Sequence, residues 1–273
     1  MKFIKSLFSF YIKSSIHVAL AVTMLVYVTA IERAISTPLA YYWVAFLGTI
    51  TGYNCIKYSE IAGFQHKSLI KSLQNLQVFS LLVFCFLVYF LVQLENDVLL
   101  LLGLLGLLTL LYLIPTVNHK NFRSISGVKV FIVAMVWSCF TLLIPVYQAH
   151  GLSVDVWLCF TQRFFIVLAL IVPFEIRDLQ EDGSNLLTLP QYFGVKKTKQ
   201  IGFFLVLLVL LLELLKGQTA AYEVWSLIAV CGLIFLSIFF SKTKQSKYFA
   251  SFWVESIPIV WGLVLGLLCY FLS

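Results

Sequence analysis

Apolar runs of about 20 residues, each long enough to cross a bilayer core of roughly 30 Å as a helix, recur along this chain. They lie near 14–31, 38–56, 76–94, 98–116, 127–147, 155–174, 199–216, 222–240 and 252–272. Inside hydrocarbon only a helix or a closed barrel satisfies its own backbone. Nine such runs therefore predict nine transmembrane helices in an all-α polytopic membrane protein, one domain over 1–273. A water-soluble fold has no way to hide them: 61% of the 273 residues are hydrophobic and 11% are charged, against roughly 25% charged in a soluble domain. The mean hydropathy is +0.98.

The charges test this count. With the N-terminus cytoplasmic, the inner segments are 1–13, 57–75, 117–129, 175–199 and 241–251. They carry every Lys and Arg except Arg33, Arg163 and Lys216, which is 16 of 19. Such a bias is the positive-inside pattern, and adding or removing one span would scramble it. The C-terminus then lies outside. The net charge of +7 is thus mostly a topology signal, and nothing else speaks for nucleic acid. A bacterial inner membrane suits so compact a chain. The N-terminal MKFIKSLFSFYIKSS stretch resembles a signal peptide, but its basic residues extend to Lys13 and no small-residue cleavage site follows, so an uncleaved first span is expected. The six cysteines are scattered through apolar runs without metal-type spacing, which reads as small apolar packing residues. No Gly-rich phosphate loop, HExxH pair or Ser/His/Asp nucleophile arrangement occurs. Oligomeric state is left open.

One stretch departs from the apolar background. PFEIRDLQEDGSNLLTLPQYFG at 173–194 holds Glu175, Asp178, Glu181 and Asp182, four of the chain's 12 acids. On a helix Asp178 and Asp182, at i and i+4, share a face, and Glu175 stands three residues before Asp178. Carboxylates this close repel unless a cation lies among them. Hard oxygen ligands at a membrane edge suit Mg²⁺, which bridges carboxylates to substrate phosphates. Arg177 and Lys197 stand nearby as phosphate contacts. The plain alternative is a solvated loop of mixed charge.

The stretch Arg177-Asp178-x-x-x-Asp182, followed by Thr188-Leu189-Pro190-x-x-x-Gly194, resembles the second aspartate-rich motif of the UbiA-type intramembrane prenyltransferases. A weaker echo, YLIPTVNHKNFRSISG from Tyr112 to Gly127, resembles the stretch between that family's fourth and fifth helices and adds Lys120 and Arg123 as candidate substrate contacts. The resemblance implies a nine-helix bundle around a central lipid-accessible cavity. It implies Mg²⁺ held by Asp178 and Asp182, the catalytic pair, with Glu175 in support. It also implies transfer of an isoprenyl group from an isoprenyl diphosphate to a lipophilic or aromatic acceptor.

The family's first motif, Asn-x-x-x-Asp-x-x-x-Asp after the second helix, is degenerate. Asn54 matches, but Tyr58 and Ala62 stand where the acids belong, and Glu60 is out of phase. Three readings remain open. One metal site works, with Lys57, and His66 or Lys67 beside it, supplying charge for the other. The substrate is not the usual diphosphate. Or the chain is an inactive relative that binds or transports a prenyl lipid.

Four ionisable residues, Arg163, Glu213, Glu255 and His17, fall inside or at the edge of spans. Arg163 lies in the sixth, and Glu213, at similar depth in the seventh, is its expected ion-pair partner. Glu255 opens the last span near the depth of the acidic stretch, either as part of a headgroup site or as an interfacial acid. His17, in the first span, is expected to be a hydrogen-bonded helix histidine.

Overall fold

The computed structural model describes residues 2–63, 70–113, 115–116, 120–121, 128–151, 153–179, 188–217 and 219–272. Its elements are helices, apart from a two-residue antiparallel pairing of Pro115–Thr116 with Lys120–Asn121. The helices are α1 (Lys2–Lys13), α2 (Ile16–Glu32), α3 (Leu39–Gly63), α4 (Ile70–Leu91), α5 (Asn96–Leu113), α6 (Val128–Ser138), α7 (Ile144–His150), α8 (Val154–Asp178), α9 (Leu189–Glu213), α10 (Ala221–Phe240) and α11 (Ile257–Leu272). Four described stretches are long and apolar enough to cross a membrane: Val128–Ala149, Val154–Asp178, Ala221–Phe240 and Phe249–Leu272. The bent pair Ile4–Lys13 and Ile16–Glu32 adds a fifth if it is one span, and Leu76–Leu91 and Asn96–Leu110 are shorter apolar helices.

Two apolar clusters hold the bundle. In one, α2, α8, α9, α10 and α11 meet through Leu25, Ile166, Ile176, Val209, Ile234 and Trp261. In the other, α2, α3, α4 and α5 meet through Val26, Tyr41, Ile50, Leu87 and Val98. Helix α2 belongs to both. Large side chains on the outer faces, such as Leu81, Leu100, Phe204, Leu211 and Trp225, remain exposed, as a lipid-facing surface requires.

Two π-helical segments interrupt this regularity, Cys139–Leu143 between α6 and α7, and Phe249–Val254 before α11. A π turn disturbs the carbonyl ladder, and in hydrocarbon a loose carbonyl needs another donor. Each segment has one. The Tyr41 hydroxyl donates to Phe140 O at 2.7 Å, and His17 Nε2 lies 2.9 Å from Phe252 O. His17 Nδ1 is met by the Tyr11 hydroxyl at 2.7 Å. His17 is therefore a satisfied histidine that ties α2 to the start of α11.

Arg163 does not pair with Glu213. Its Nη2 lies 3.4 Å from Glu32 Oε2, and its Nη1 donates to Leu25 O at 2.9 Å, both on α2. The guanidinium carbon also lies 4.8 Å from the Trp261 ring centre. Glu213 is taken instead by Lys216 at 2.6 Å and by the Gln162 amide at 2.8 Å. Neighbouring positions on a helix point about 100° apart, so Gln162 faces α9 while Arg163 faces α2.

Candidate functional site

Between the two clusters lies a cavity of about 880 Å³. Most of its wall is apolar: Val18 and Val22 of α2, Val44 and Gly48 of α3, Leu87 of α4, Leu105 of α5, Val133 of α6 and Leu170 of α8 are among its lining residues. Along α3 the lining runs from Val44 to Lys57, which at 1.5 Å per residue is roughly 20 Å. Five aromatic residues, Tyr53, Phe84, Trp137, Phe140 and Phe174, also line it.

At the Lys57 end the wall becomes charged. Lys57 from α3, Lys129 from α6, Glu175, Arg177 and Asp178 from α8, and Glu255 before α11 all line the cavity. Lys129 Nζ lies 3.3 Å from Glu175 Oε1, and the Glu175 side chain is almost fully buried. Arg177 grips Asp178 with Nε at 2.6 Å from Oδ1 and Nη2 at 3.1 Å from Oδ2, and its guanidinium lies over the Phe174 ring at 5.2 Å. Glu255 is within electrostatic reach of Lys57 and Arg177. Lys57 Nζ donates to Ser15 Oγ at 2.8 Å and to Lys13 O at 3.3 Å.

Local sequence explains these positions. Helix α8 runs from a Ser153 cap to Asp178, so Glu175 and Asp178, a helical turn apart, come out on the cavity side at its last turn. The Thr-Leu-Pro step starts α9: the Thr188 N–H donates to Gln191 Oε1 at 3.0 Å, and Pro190 sits in the first turn. Gly194 then breaks the helix with φ 77° and ψ 158°, a conformation essentially confined to glycine.

Of the residues singled out in the sequence, the structure brings Glu175, Arg177, Asp178 and Lys57 to one end of one cavity. Asn54 is buried beside it, accepting from Ser15 Oγ and donating to Ser80 Oγ, both at 2.9 Å. Lys197 is exposed on α9. Asp182, Glu181 and Arg123 lie outside the described residues, as do His66, Lys67 and the side chain of Lys120. Glu255, open in the sequence between a headgroup site and an interfacial acid, lines the same end. Lys129 is the addition, since it reads in the sequence as one more positive-inside lysine. Among the described residues no three His, Cys, Asp or Glu side chains converge as a metal centre.

No family model matches the sequence. No curated protein matches it either. A solved structure of digeranylgeranylglyceryl phosphate synthase, described in membranes, does match the fold: TM-score 0.56 at 18% identity, over 99% of this chain and 98% of that one. At that identity the likeness shows the fold. The chain is an all-helical integral membrane protein that shares the fold of that synthase.

Proposed function

We propose that this chain is an intramembrane prenyltransferase, one domain of nine spans with the N-terminus cytoplasmic and the C-terminus outside. It would transfer an isoprenyl group from an isoprenyl diphosphate to a lipophilic or aromatic acceptor. The observation that carries the reading is the polarity of the cavity. An apolar chamber of about 880 Å³ ends in three cations and three carboxylates. That shape suits an amphiphile with a long hydrocarbon tail and a multiply charged head. The fold likeness to a digeranylgeranylglyceryl phosphate synthase points the same way.

The donor atoms fit Mg²⁺. Glu175 and Asp178 offer only carboxylate oxygens, on one wall, beside space for a phosphate. Asp182 would complete the set. Bound there, Mg²⁺ would neutralise charge growing on a leaving diphosphate. The chain's own groups do the rest. Arg177, Lys129 and Lys57 face the same head and stabilise the same charge. Lys197, Lys120 and Arg123 are further phosphate contacts from the flanking segments. As the carbon–oxygen bond breaks, the electron pair leaves with the diphosphate and an allylic cation remains. Tyr53, Trp137 and Phe174 line the chamber with π faces that favour such a cation. The apolar wall keeps water from capturing it before the acceptor does.

A second reading, a catalytically inactive binder or transporter of a prenyl lipid, draws on a different observation. Asp178 and Glu175 already hold cations, Arg177 and Lys129, so the candidate metal ligands are neutralised within the protein.

Farnesyl and geranylgeranyl diphosphate binding to the detergent-purified protein, with and without Mg²⁺, separates the two. The transferase reading expects binding that strengthens with Mg²⁺ and loses that dependence in Asp178→Ala/Asp182→Ala. Equal binding by the folded double variant, with or without Mg²⁺, supports the inactive binder.

A further inference from the structure

Helices α1 and α2 meet at 57°, and the corner is built from Ser14 and Ser15, both fully buried. Ser15 is held at φ 64°, ψ 16°, the strained left-handed region that non-glycine residues seldom occupy. What surrounds it accounts for the strain. Lys57 Nζ donates to Ser15 Oγ at 2.8 Å, and Ser15 Oγ donates on to Asn54 Oδ1 at 2.9 Å. Asn54 Nδ2 donates to Ser80 Oγ at 2.9 Å, and Ser80 Oγ donates to Leu76 O at 2.7 Å. The chain of donors runs one way, from the ammonium of α3 through the α1–α2 corner to the backbone of α4. Hydrogen bonds in series polarise one another, so this one fixes where the Lys57 ammonium stands.

An ammonium has three N–H donors. Two go to neutral oxygens, Ser15 Oγ and Lys13 O. Among the described residues the third has no partner, and Lys57 lines the cavity. Arg177 and Lys129 differ, since each is in contact with a carboxylate. Lys57 is the cation of this end that makes no direct carboxylate contact among the described residues; Glu255 reaches it only through space. It stands one residue before Tyr58, the position where the sequence lacks an acid.

We propose that Lys57 anchors a metal-independent phosphate subsite on the α3 wall, positioned by the Ser15–Asn54–Ser80 chain, and takes a phosphate of a diphosphate ligand. Asn54 and Ser15 are positioning residues, acting through Lys57. Only the tail of the ligand rests on the prenyl-transfer reading; the anion subsite stands without it.

The test is binding to the full-length protein in detergent with EDTA present. Inorganic pyrophosphate is one probe and the non-ionising geranylgeranyl thiolodiphosphate the other. Wild type binds both without metal. Lys57→Gln weakens pyrophosphate binding at least roughly tenfold, as expected for a lost charge-assisted hydrogen bond, and Lys57→Arg restores part of it. Asn54→Leu weakens binding by a smaller factor, and that factor disappears in the Lys57→Gln background, which a merely structural role would not produce. Thermal unfolding of each variant checks that it is folded. Wild-type binding only with Mg²⁺, or undiminished binding by folded Lys57→Gln, overturns the subsite. Displacement of pyrophosphate by phosphatidylglycerol at equal concentration overturns its assignment to a diphosphate and gives it to a lipid headgroup. Pyrophosphate binding with no binding of the prenyl analogue leaves the subsite standing and overturns prenyl transfer.

Discussion

The molecule carries two groups of buried charge, and they are built differently. Around Arg163 each charge is spent inside the protein. The guanidinium has Glu32, a Leu25 carbonyl and the Trp261 face, and Glu213 has Lys216 and Gln162. At the cavity end, ion pairs also form, but Lys57, Lys129, Glu175, Arg177, Asp178 and Glu255 all border open volume. The same residue types do different work. A charge enclosed by partners braces helices, while a charge beside an 880 Å³ chamber has somewhere to receive a ligand. Burial alone does not tell them apart: Arg163 is 1% exposed and Glu175 is 3% exposed.

Breaking the braced group is expected to cost the most. Arg163→Ala leaves Glu32 and the Leu25 carbonyl without their donor and should lower stability by about 3–5 kcal/mol. Thermal unfolding in detergent reads it. A stable variant with impaired diphosphate binding would reverse the comparison and make Arg163 part of the site. Gly194→Ala is next. Its φ of 77° with ψ 158° strains any other residue by about 1–3 kcal/mol, and the loss should appear as a lower unfolding temperature. Unchanged stability would mean that the kink is not fixed by glycine. The smallest stability effect belongs to Lys129→Gln. Its side chain is 28% exposed and its pair with Glu175 spans 3.3 Å, so unfolding should move by no more than about 1 kcal/mol while diphosphate binding weakens severalfold. A large loss of stability with intact binding would place Lys129 with the braced group.

The sequence marks one of these groups better than the other. The acidic stretch and its Thr-Leu-Pro…Gly sequel stand out because helix ends and kinks are local events, set by residues close in the chain, such as Thr188, Gln191 and Gly194. Arg163 stands out too, but its partner does not. Depth within a span can be counted from the sequence; the direction in which a helix presents a side chain to its neighbours cannot. Arg163 and Glu213 match in depth, yet one helix step turns Arg163 toward α2 and Gln162 toward α9. Lys129 carries no mark of its role in the sequence for a related reason. Its charge fits the positive-inside pattern, and only packing of α6 on α8 puts it beside Glu175. The bend at Ser15 has no marker in the sequence, because the αL corner is imposed by Asn54 and Lys57, roughly 40 residues away and brought near by the α2–α3 hairpin.

In the proposed function the cavity holds an isoprenyl diphosphate with its head among the charges and its tail toward Val44. A geranylgeranyl diphosphate analogue with a photoreactive group at the tail end tests this most directly, with the adduct mapped by mass spectrometry. Labelling is expected at the far wall, on residues such as Val44, Leu102 and Phe140, and is suppressed by unlabelled geranylgeranyl diphosphate. Labelling confined to the exposed lipid-facing residues, such as Leu81, Leu100 or Phe204, and insensitive to competitor, would contradict it.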